Sequence, residues 1–360
     1  RHTTFFEMLG NFSFGDYFKA EAIAWAWEFV TRRLGLARDR LWITVYEDDD
    51  EAYDLWRRVG VGDDHIQRLG KAANYWSMGV PGPSGPSSDI TYDRGPAFGR
   101  DGGPAVNPER YLELWGLVFM QDVRGAASET GDYPIVGSLP RRCIDTGLGL
   151  DRVAIVLQEV DTICETDLLG PILRTVEDLC GREFPGRLGG EDAVSFQIVT
   201  EHARTIAFLI ADGVRPSNEG RGHVLRRLVR RAIHHGRRLG IDDVLTPTTA
   251  AVIGHLGGVR PELERARRTI AEVVTAEEQA FARTLRHGSR LLAKELERVR
   301  TDGETVLPGD AVFRLYDTYG FPVEIAADAA RAEGVAIDED RFEELLRQQR
   351  TRSRERRRSS

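Results

Sequence analysis

The sequence predicts an α+β protein in which the strands lie in the first part of the chain and helices make up the rest. In the first part, short runs rich in aromatic and β-branched residues alternate with helical patterns. From about Asp161 onward, apolar residues recur at helical spacing and strand-like runs nearly disappear. The length of 360 residues is typical of two or three domains. We predict a mixed domain at 1–160, a helical domain at 161–309, a small continuation of it at 310–349 and a disordered tail at 350–360.

Local patterns predict the elements of the mixed domain in order. The strand patterns are short and apolar, and lie at Thr3–Met8, Leu41–Tyr46, Ile90–Tyr92 and Tyr111–Val123. The helical patterns lie at Asp16–Leu34, Asp48–Arg58 and Leu148–Gln158. Between them, Gly79–Ser88 is so rich in glycine, proline and serine that we predict no regular structure there.

The second part is predicted to be helical almost throughout. Long helical periods cover 166–182, 193–212, 219–239 and 261–299, and shorter ones follow at Val312–Tyr319, Pro322–Glu333 and Asp338–Gln349. The final residues, Arg350–Ser360, are rich in arginine and serine, a composition typical of disorder.

The chain is acidic overall but contains one strongly basic segment. A net charge of −8 argues against a generally basic nucleic-acid-binding surface. Arg215–Gly240, however, contains eight arginines and one glutamate, a local net charge of +7. A helix here places one set of residues on an apolar face (Val224, Leu225, Leu228, Val229, Ala232, Ile233) and another on a basic face (Arg226, Arg227, Arg230, Arg231). This density favours phosphate binding over an ordinary solvated face.

Composition also bears on compartment and metal content. The sequence has neither an apolar run of about 18 residues nor a signal-peptide pattern, so we expect no membrane partner. Its three cysteines form no CxxC pair, which favours neither disulfides nor a thiolate zinc site. A cytoplasmic location is therefore expected.

A glycine-rich turn precedes the helix predicted at Leu148–Gln158. The run Cys143–Arg152 contains Gly147 and Gly149, which allow a ligand to approach the backbone closely. The helix that follows turns its N-terminus toward an anion. A helix cap followed by a surface Arg152 is the alternative interpretation.

Four further runs carry a family resemblance: Arg1–Lys19, Asn74–Ile90, Tyr111–Gln121 and Phe313–Pro322. Together with Cys143–Arg152 and the basic segment, they resemble segments of alanyl-tRNA synthetases, and the resemblance covers about residues 1–350. It implies a class II synthetase catalytic domain with an antiparallel sheet, incomplete at its N-terminus, followed by an α-helical tRNA-binding domain.

The resemblance implies specific roles for the residues of the catalytic domain. For ATP and Mg²⁺, the two implied cofactors, the matching residues are Met8 against adenine, Asp89 at the magnesium, Arg152 at the γ-phosphate, and Gly149 in the same ATP-binding site. For the amino acid, alanine or another small one, they are Trp76, Gly116, Asp145 and Gly147. Arg152 and Asp145, which holds the α-ammonium group, are the implied catalytic residues. A structural methionine in the core remains the alternative for Met8.

The helical domain resembles the part of the family that holds the tRNA acceptor stem. Asn218 and Asp317 match the two residues that recognise the third base pair of that stem. A structural helix cap is the alternative for Asp317. Phosphate contacts are implied for Arg226, Arg227, Arg230 and Arg231.

The sequence also departs from the family. Gly116 replaces an asparagine that contacts the amino acid, and other substitutions fall at Val80, Pro81, Ser84 and Ser87. The resemblance includes neither motif 1 and the first strand of motif 2, nor the editing domain with its zinc ligands, nor the C-terminal oligomerisation domain, so no structural zinc is expected. Two functions therefore stay open: an alanine–tRNA ligase, or a truncated paralogue that binds tRNA or activates another small amino acid without full ligase activity.

Overall fold

A computed structural model describes residues 3–128 and 132–358 of the chain. The chain divides into two compact units, Arg1–Pro171 and Ile172–Ser360. The first unit is built on an eight-stranded sheet, and the second is mainly helical.

The sheet of the first unit is almost entirely antiparallel. Its strands are β1 (Met8–Leu9), β2 (Phe12–Phe14), β3 (Leu41–Tyr46), β4 (Ile66–Leu69), β5 (Tyr75–Ser77), β6 (Gly82–Asp93), β7 (Tyr111–Arg124) and β8 (Ile135–Gly149). The order across the sheet is β1-β8-β7-β6-β3-β4, with β2 also pairing with β8 and β5 with β6. Only the pair β3 and β4 is parallel among these strands. The helices of this part are α1 (Lys19–Glu28), α2 (Asp50–Arg58), α3 (Lys71–Asn74) and α4 (Leu150–Leu157).

One apolar core holds the helices against the sheet. Ile23 and Trp27 of α1 are buried in the same cluster as Ile43 of β3 and Phe119 of β7. The start of α2 is fixed by Asp49, whose side chain accepts a hydrogen bond from the Ala52 amide at 3.1 Å. The same carboxylate pairs with buried Lys19 of α1 at 2.7 Å, so one ion pair orients both helices on the sheet.

Several strands of the first unit differ from the sequence prediction. The predicted helices at 16–34, 48–58 and 148–158 and the predicted strands at 41–46 and 111–123 are confirmed. The predicted strand Thr3–Met8 is wrong, because pairing with β8 begins only at Met8. Gly79–Ser88 was predicted to be irregular, yet β6 begins at Gly82. Strand β8 was not predicted. Both strands are specified by their neighbours rather than by their own composition: a Cβ at Gly85 would lie 2.0 Å from the Phe119 carbonyl oxygen of β7.

The helical part begins with α5, which spans the division between the units. The helices of the helical part are α5 (Gly170–Cys180), α6 (Gly190–Ala211), α7 (Gly220–Arg238), α8 (Leu245–Leu256), α9 (Pro261–Arg265), α10 (Arg267–Thr301), α11 (Gly309–Tyr319), α12 (Val323–Ala332) and α13 (Glu339–Arg358). Two short parallel strands, β9 (Val306–Leu307) and β10 (Ala336–Ile337), join the last helices. None of the helices within the described ranges is long and apolar enough to span a membrane.

Most helices of this part agree with the sequence prediction, since their apolar faces have the expected period. Helix α8 was not predicted. The tail at 350–360 was predicted to be disordered; α13 continues to Arg358, and the disorder stays a prediction. The last two residues of the tail lie outside the described residues. The domain bounds themselves stay predictions.

Candidate functional site

The open face of the sheet brings the predicted amino-acid residues together. Along the end of β8, Ile144, Thr146 and Leu148 are buried, whereas Asp145 and Gly147 are partly exposed. Because strand residues alternate between faces, Asp145 and Gly147 share the open face. The register places Gly147 opposite Gly116 of β7, and Gly116 opposite Asp89 of β6. Asp89, Gly116 and Gly147 therefore form one row across three strands.

This row, which we call the glycine floor, lacks side chains at its centre. A Cβ at Gly116 would lie 3.3 Å from Asp89 Oδ1, and a Cβ at Gly147 would lie 2.8 Å from the sulfur of Met8. Met8 is thus placed over the floor and is 63% exposed, so the alternative of a core methionine is wrong. A flat ligand can lie against the exposed backbone, with the polarizable thioether of Met8 beside it.

Asp89 is the carboxylate at one end of the floor. Its Oδ2 atom accepts hydrogen bonds from Asn74 Nδ2 at 2.8 Å and Thr44 Oγ1 at 3.1 Å. Burial, and next the negative charge of Glu113, raise the pKa of Asp89 to about 7, while the two hydrogen bonds and Arg152 act in the opposite direction. A carboxyl group with this pKa gains or loses its proton near neutral pH, which makes it sensitive to an added cation.

Arg152, at the start of α4, contacts Glu113 and acts on Asp89 through its charge. Its Nη1 atom donates to the Glu113 carbonyl at 2.8 Å and lies 3.4 Å from Glu113 Oε1. Gly149 is the N-cap residue of α4, and a Cβ there would lie 3.4 Å from the Arg152 side chain. The structure thus assembles one guanidinium and two carboxylates at the edge of the glycine floor.

Three residues around Asp89 were not singled out by the sequence, namely Thr44, Asn74 and Glu113. Glu113 lay inside a run that carried the family resemblance, but its place depends on a register shift between Ile90 and Thr91. No local pattern reports such a shift. The other two predicted amino-acid residues lie on the same sheet: Asp145 pairs with Val118 of β7, and Trp76 of β5 pairs with Gly85 of β6. Burial raises the pKa of Asp145 above its ordinary value.

The departures from the family do not share one location. Ser84 is fully buried, with its hydroxyl 3.5 Å from the Asp122 carbonyl, and Ser87 is also buried. Val80 is 54% exposed before β6 begins. Gly116 is therefore the departure that directly alters the floor.

The donor set fits a magnesium ion that brings other ligands with it. In the part of the chain that is described, no group of three or more His, Cys, Asp or Glu side chains could hold a metal ion. Asp89 and Glu113 are two carboxylates, and Mg²⁺ commonly uses one or two protein carboxylates together with substrate phosphates and water.

In the second unit, the basic helix α7 has two kinds of arginine. Arg227 and Arg231 are exposed. Arg226 instead forms an ion pair with Glu277 at 3.2 Å. Arg230 donates to the Gly320 carbonyl at 3.2 Å, and burial lowers its pKa. The basic face predicted from the sequence is thus half exposed and half engaged inside the unit.

Asn218 and Asp317, the two residues predicted to contact the third base pair, are both exposed. Asn218 Oδ1 accepts a hydrogen bond from Arg226 Nη1 at 2.5 Å. Asp317 Oδ1 accepts one from Gln349 Nε2. Pro308 and Gly320 flank α11 as its cap residues, so the alternative of Asp317 as a helix cap is wrong.

The antiparallel sheet and the residues gathered on its open face agree with the class II synthetase domain that the sequence predicts. The family model described as tRNA synthetases class II (A) matches residues 1–360, and the chain belongs to that family. Among its relatives is the alanine–tRNA ligase of Streptomyces avermitilis, which is 50% identical in an alignment of 360 residues; the alignment covers 98% of this chain and 40% of the relative. The alanine–tRNA ligase of Mycobacterium tuberculosis is 50% identical over 361 residues, with the same coverage. That of Thermobifida fusca is 48% identical over 361 residues, covering 97% of this chain and 40% of the relative.

The chain thus spans about two fifths of the length of these curated relatives. The family assignment confirms the predicted class II synthetase fold with its helical continuation.

Proposed function

We propose that the chain activates alanine with ATP and transfers it to the 3′ end of the alanine tRNA. The observation that carries this proposal is the glycine floor, flanked by Met8 on one side and by the cluster of Asp89, Glu113 and Arg152 on the other. The relatives are named alanine–tRNA ligases, and the chain matches them over nearly its whole length.

ATP would lie with its adenine against Met8 and its phosphates toward Arg152. The planar guanidinium of an arginine can donate two parallel bonds to phosphate oxygens, and Gly149 keeps the start of α4 open to them. Asp89 and Glu113 would hold Mg²⁺, which offsets the negative charge of the phosphates. Thr44 and Asn74 orient Asp89 by holding its Oδ2 atom, which keeps Oδ1 on the Gly116 side.

Alanine would bind with its ammonium group at Asp145 and its methyl group toward Trp76. In the first step, a carboxylate oxygen of alanine attacks the α-phosphorus of ATP, and the bond to pyrophosphate breaks. In the second, a 3′-terminal ribose hydroxyl of tRNA attacks the alanyl carbonyl, loses its proton, and AMP leaves. Positioning and charge neutralisation supply the rate enhancement, because neither step needs a protein nucleophile.

The tRNA would be held by the second unit. Asn218 and Asp317 are proposed to contact the third base pair of the acceptor stem. We assign phosphate contacts to exposed Arg227 and Arg231, since Arg226 and Arg230 already have partners inside the unit. The cytoplasm remains the expected compartment.

Gly116 supports a second candidate, which is a paralogue that binds tRNA or activates another small amino acid. Without a side chain at this position the floor is wider, and Asp89 Oδ1 borders the open space. A pocket of this kind distinguishes amino acids that differ by one methylene by only about 10–200-fold.

Exchange of labelled pyrophosphate into ATP, measured with each of the twenty amino acids, tests these candidates. Alanine-dependent exchange is expected, with Asp145→Asn strongly reduced because the ammonium partner is lost. Arg268→Ala removes a surface arginine of α10 whose side chain is 90% exposed, and serves as the control. Exchange with a different amino acid would favour the second candidate, and no exchange with any of the twenty would reject activation by this chain.

A further inference from the structure

The hydrogen bond between Arg226 and Asn218 fixes which end of the Asn218 amide is presented. An asparagine side chain has an oxygen that accepts and a nitrogen that donates, whereas an arginine only donates. Since Arg226 Nη1 lies 2.5 Å from Asn218 Oδ1, the oxygen must be the end that faces Arg226. The NH₂ group of Asn218 is then the end turned away, and it offers donors.

Arg226 is itself held in place from two directions. Its Nη2 atom lies 3.2 Å from Glu277 Oε1 on α10 and 3.4 Å from the carbonyl of Pro216, in the loop before α7. The side chains of Arg226 and Glu277 are only 23% and 14% exposed. A partly buried ion pair of this kind is a poor phosphate ligand, because binding phosphate would require the arginine to leave its partners.

Asp317 has a comparable partner on α13. Gln349 Nε2 donates to Asp317 Oδ1, and a carboxylate offers acceptors only. The position of α13 beside α11 is fixed by an edge-to-face contact of Phe342 with Tyr316, whose ring centroids are 5.8 Å apart. An ion pair between Arg341 and Asp310 at 3.0 Å fixes it further.

We propose that Arg226 and Gln349 are positioning residues for base-pair recognition: Arg226 turns the donor end of the Asn218 amide outward, and Gln349 fixes the orientation of the Asp317 carboxylate, which is an acceptor. The proposal rests on the proposed function, in which Asn218 and Asp317 contact the acceptor stem. If Asn218 and Asp317 contact the same base pair, as proposed above, that pair meets one donor and one acceptor, and it must itself offer both. In the wide minor groove of RNA, the 2-amino group of guanine is a donor beside base acceptors. In a G·U wobble pair that amino group has no partner within the pair, whereas in G·C it bonds to cytosine.

The two possible roles of Arg226 make different predictions. A phosphate contact strengthens binding to every sequence alike, and its loss lowers the slope of log K against log salt by about 1. A positioning residue instead controls discrimination between sequences. The test compares affinities of the full 360-residue chain for two acceptor-stem minihelices that differ only in having G·U or G·C at the third pair.

We expect Arg226→Ala and Gln349→Ala each to reduce the G·U preference about 10-fold, the scale of one good base contact, with the salt slope unchanged. In a chain that already carries Asn218→Ala, Arg226→Ala should have no further effect, because its action passes through Asn218. The matched controls are Arg238→Ala, another ion-paired arginine of α7, and Gln348→Ala, the neighbour of Gln349. Both controls should keep the full preference.

Different failures identify different errors. If Arg226→Ala weakens binding to both minihelices equally and lowers the slope of log K against log salt, Arg226 is a phosphate contact and the positioning role is rejected. An unchanged preference in both Arg226→Ala and Gln349→Ala would also reject it, while the proposed function would survive. Two results would reject the proposed RNA contact together with the positioning role. One is equal affinity of the unaltered chain for the G·U and G·C minihelices. The other is a G·U preference that is unchanged in Asn218→Ala. Circular dichroism checks that each variant is folded. If Arg226→Ala does not fold, Glu277→Gln replaces it in the test. This variant loosens Arg226 without removing it, and it should give a smaller loss of the G·U preference.

Discussion

Because its pKa is raised, Asp89 is expected to make the proposed binding of Mg²⁺ and ATP depend on pH. Burial and the charge of Glu113 raise this pKa to about 7 in the unliganded chain. A cation at the carboxylate favours the charged form, so binding must release the proton. With a pKa of about 7, the charged fraction is roughly nine tenths at pH 8 and roughly one tenth at pH 6. The affinity for Mg²⁺ with ATP is therefore expected to fall about tenfold between these pH values.

Isothermal titration calorimetry in buffers of different ionisation enthalpy measures the released protons directly. At pH 7 about half a proton should be released for each Mg²⁺–ATP bound, because about half of the chains carry a proton on Asp89. Asp89→Asn is the matched control, since it keeps the size of the side chain and leaves only the titration of ATP itself. Equal proton release by the unaltered chain and by Asp89→Asn, with an affinity independent of pH, would refute the assignment of Mg²⁺ to Asp89.

The same pKa has a consequence for stability without ligand. Because the folded-state pKa is raised, the contribution of Asp89 to folding is full below its ordinary pKa of 3.8 and is lost as pH rises through about 7. The difference between the two values corresponds to at most on the order of 4 kcal/mol. The free energy of unfolding of Asp89→Asn minus that of the unaltered chain should therefore be larger at pH 8 than at pH 5. Urea denaturation at the two pH values measures this, and an equal effect at both would contradict the raised pKa.

Three further changes test other parts of the site. Gly147→Ala should reduce ATP binding at least tenfold in equilibrium dialysis, because its Cβ would lie 2.8 Å from the sulfur of Met8; unchanged binding would show that the floor is not used. Gly116→Asn should narrow the pocket and shift the exchange activity toward alanine, measured as the ratio of kcat/KM for alanine to that for the next-best amino acid; a fall in this ratio would contradict the role given to Gly116. Replacing Arg227 and Arg231 by alanine together should lower the salt slope of minihelix binding by about 2, whereas an unchanged slope would remove them from the phosphate contacts.

The helices of the second unit were largely predictable because their signal is local. The apolar period of α7 predicts that Leu225, Val229 and Ile233 are buried, and they are. The same period placed Arg226 and Arg230 on the solvent side, but these positions lie at the border of the two faces and are engaged by Glu277 and the Gly320 carbonyl. A helical period alone does not show which border residues meet a neighbouring helix.

The sheet was less predictable, since its pairing is not local. Strand β6 is rich in glycine and proline, and its place between β3 and β7 overrides that composition. The residues of the site, too, come together only through strand pairing. Resemblance identified Asp89, Gly116 and Gly147 separately, and the register then placed them in one row. Thr44 and Asn74, which orient Asp89, depend on pairings that only the folded sheet shows.

The most direct test of the central claim follows one labelled alanine through both steps. The 360-residue chain is incubated with Mg²⁺, ATP and radiolabelled alanine, separated from free alanine by rapid gel filtration, and then mixed with an acceptor-stem minihelix that ends in a free 3′ ribose. We expect the label to remain with the protein as an adenylate and then to move to the 3′ end of the RNA. Failure of the protein to retain label in the presence of ATP would contradict the proposal that this sheet face activates alanine.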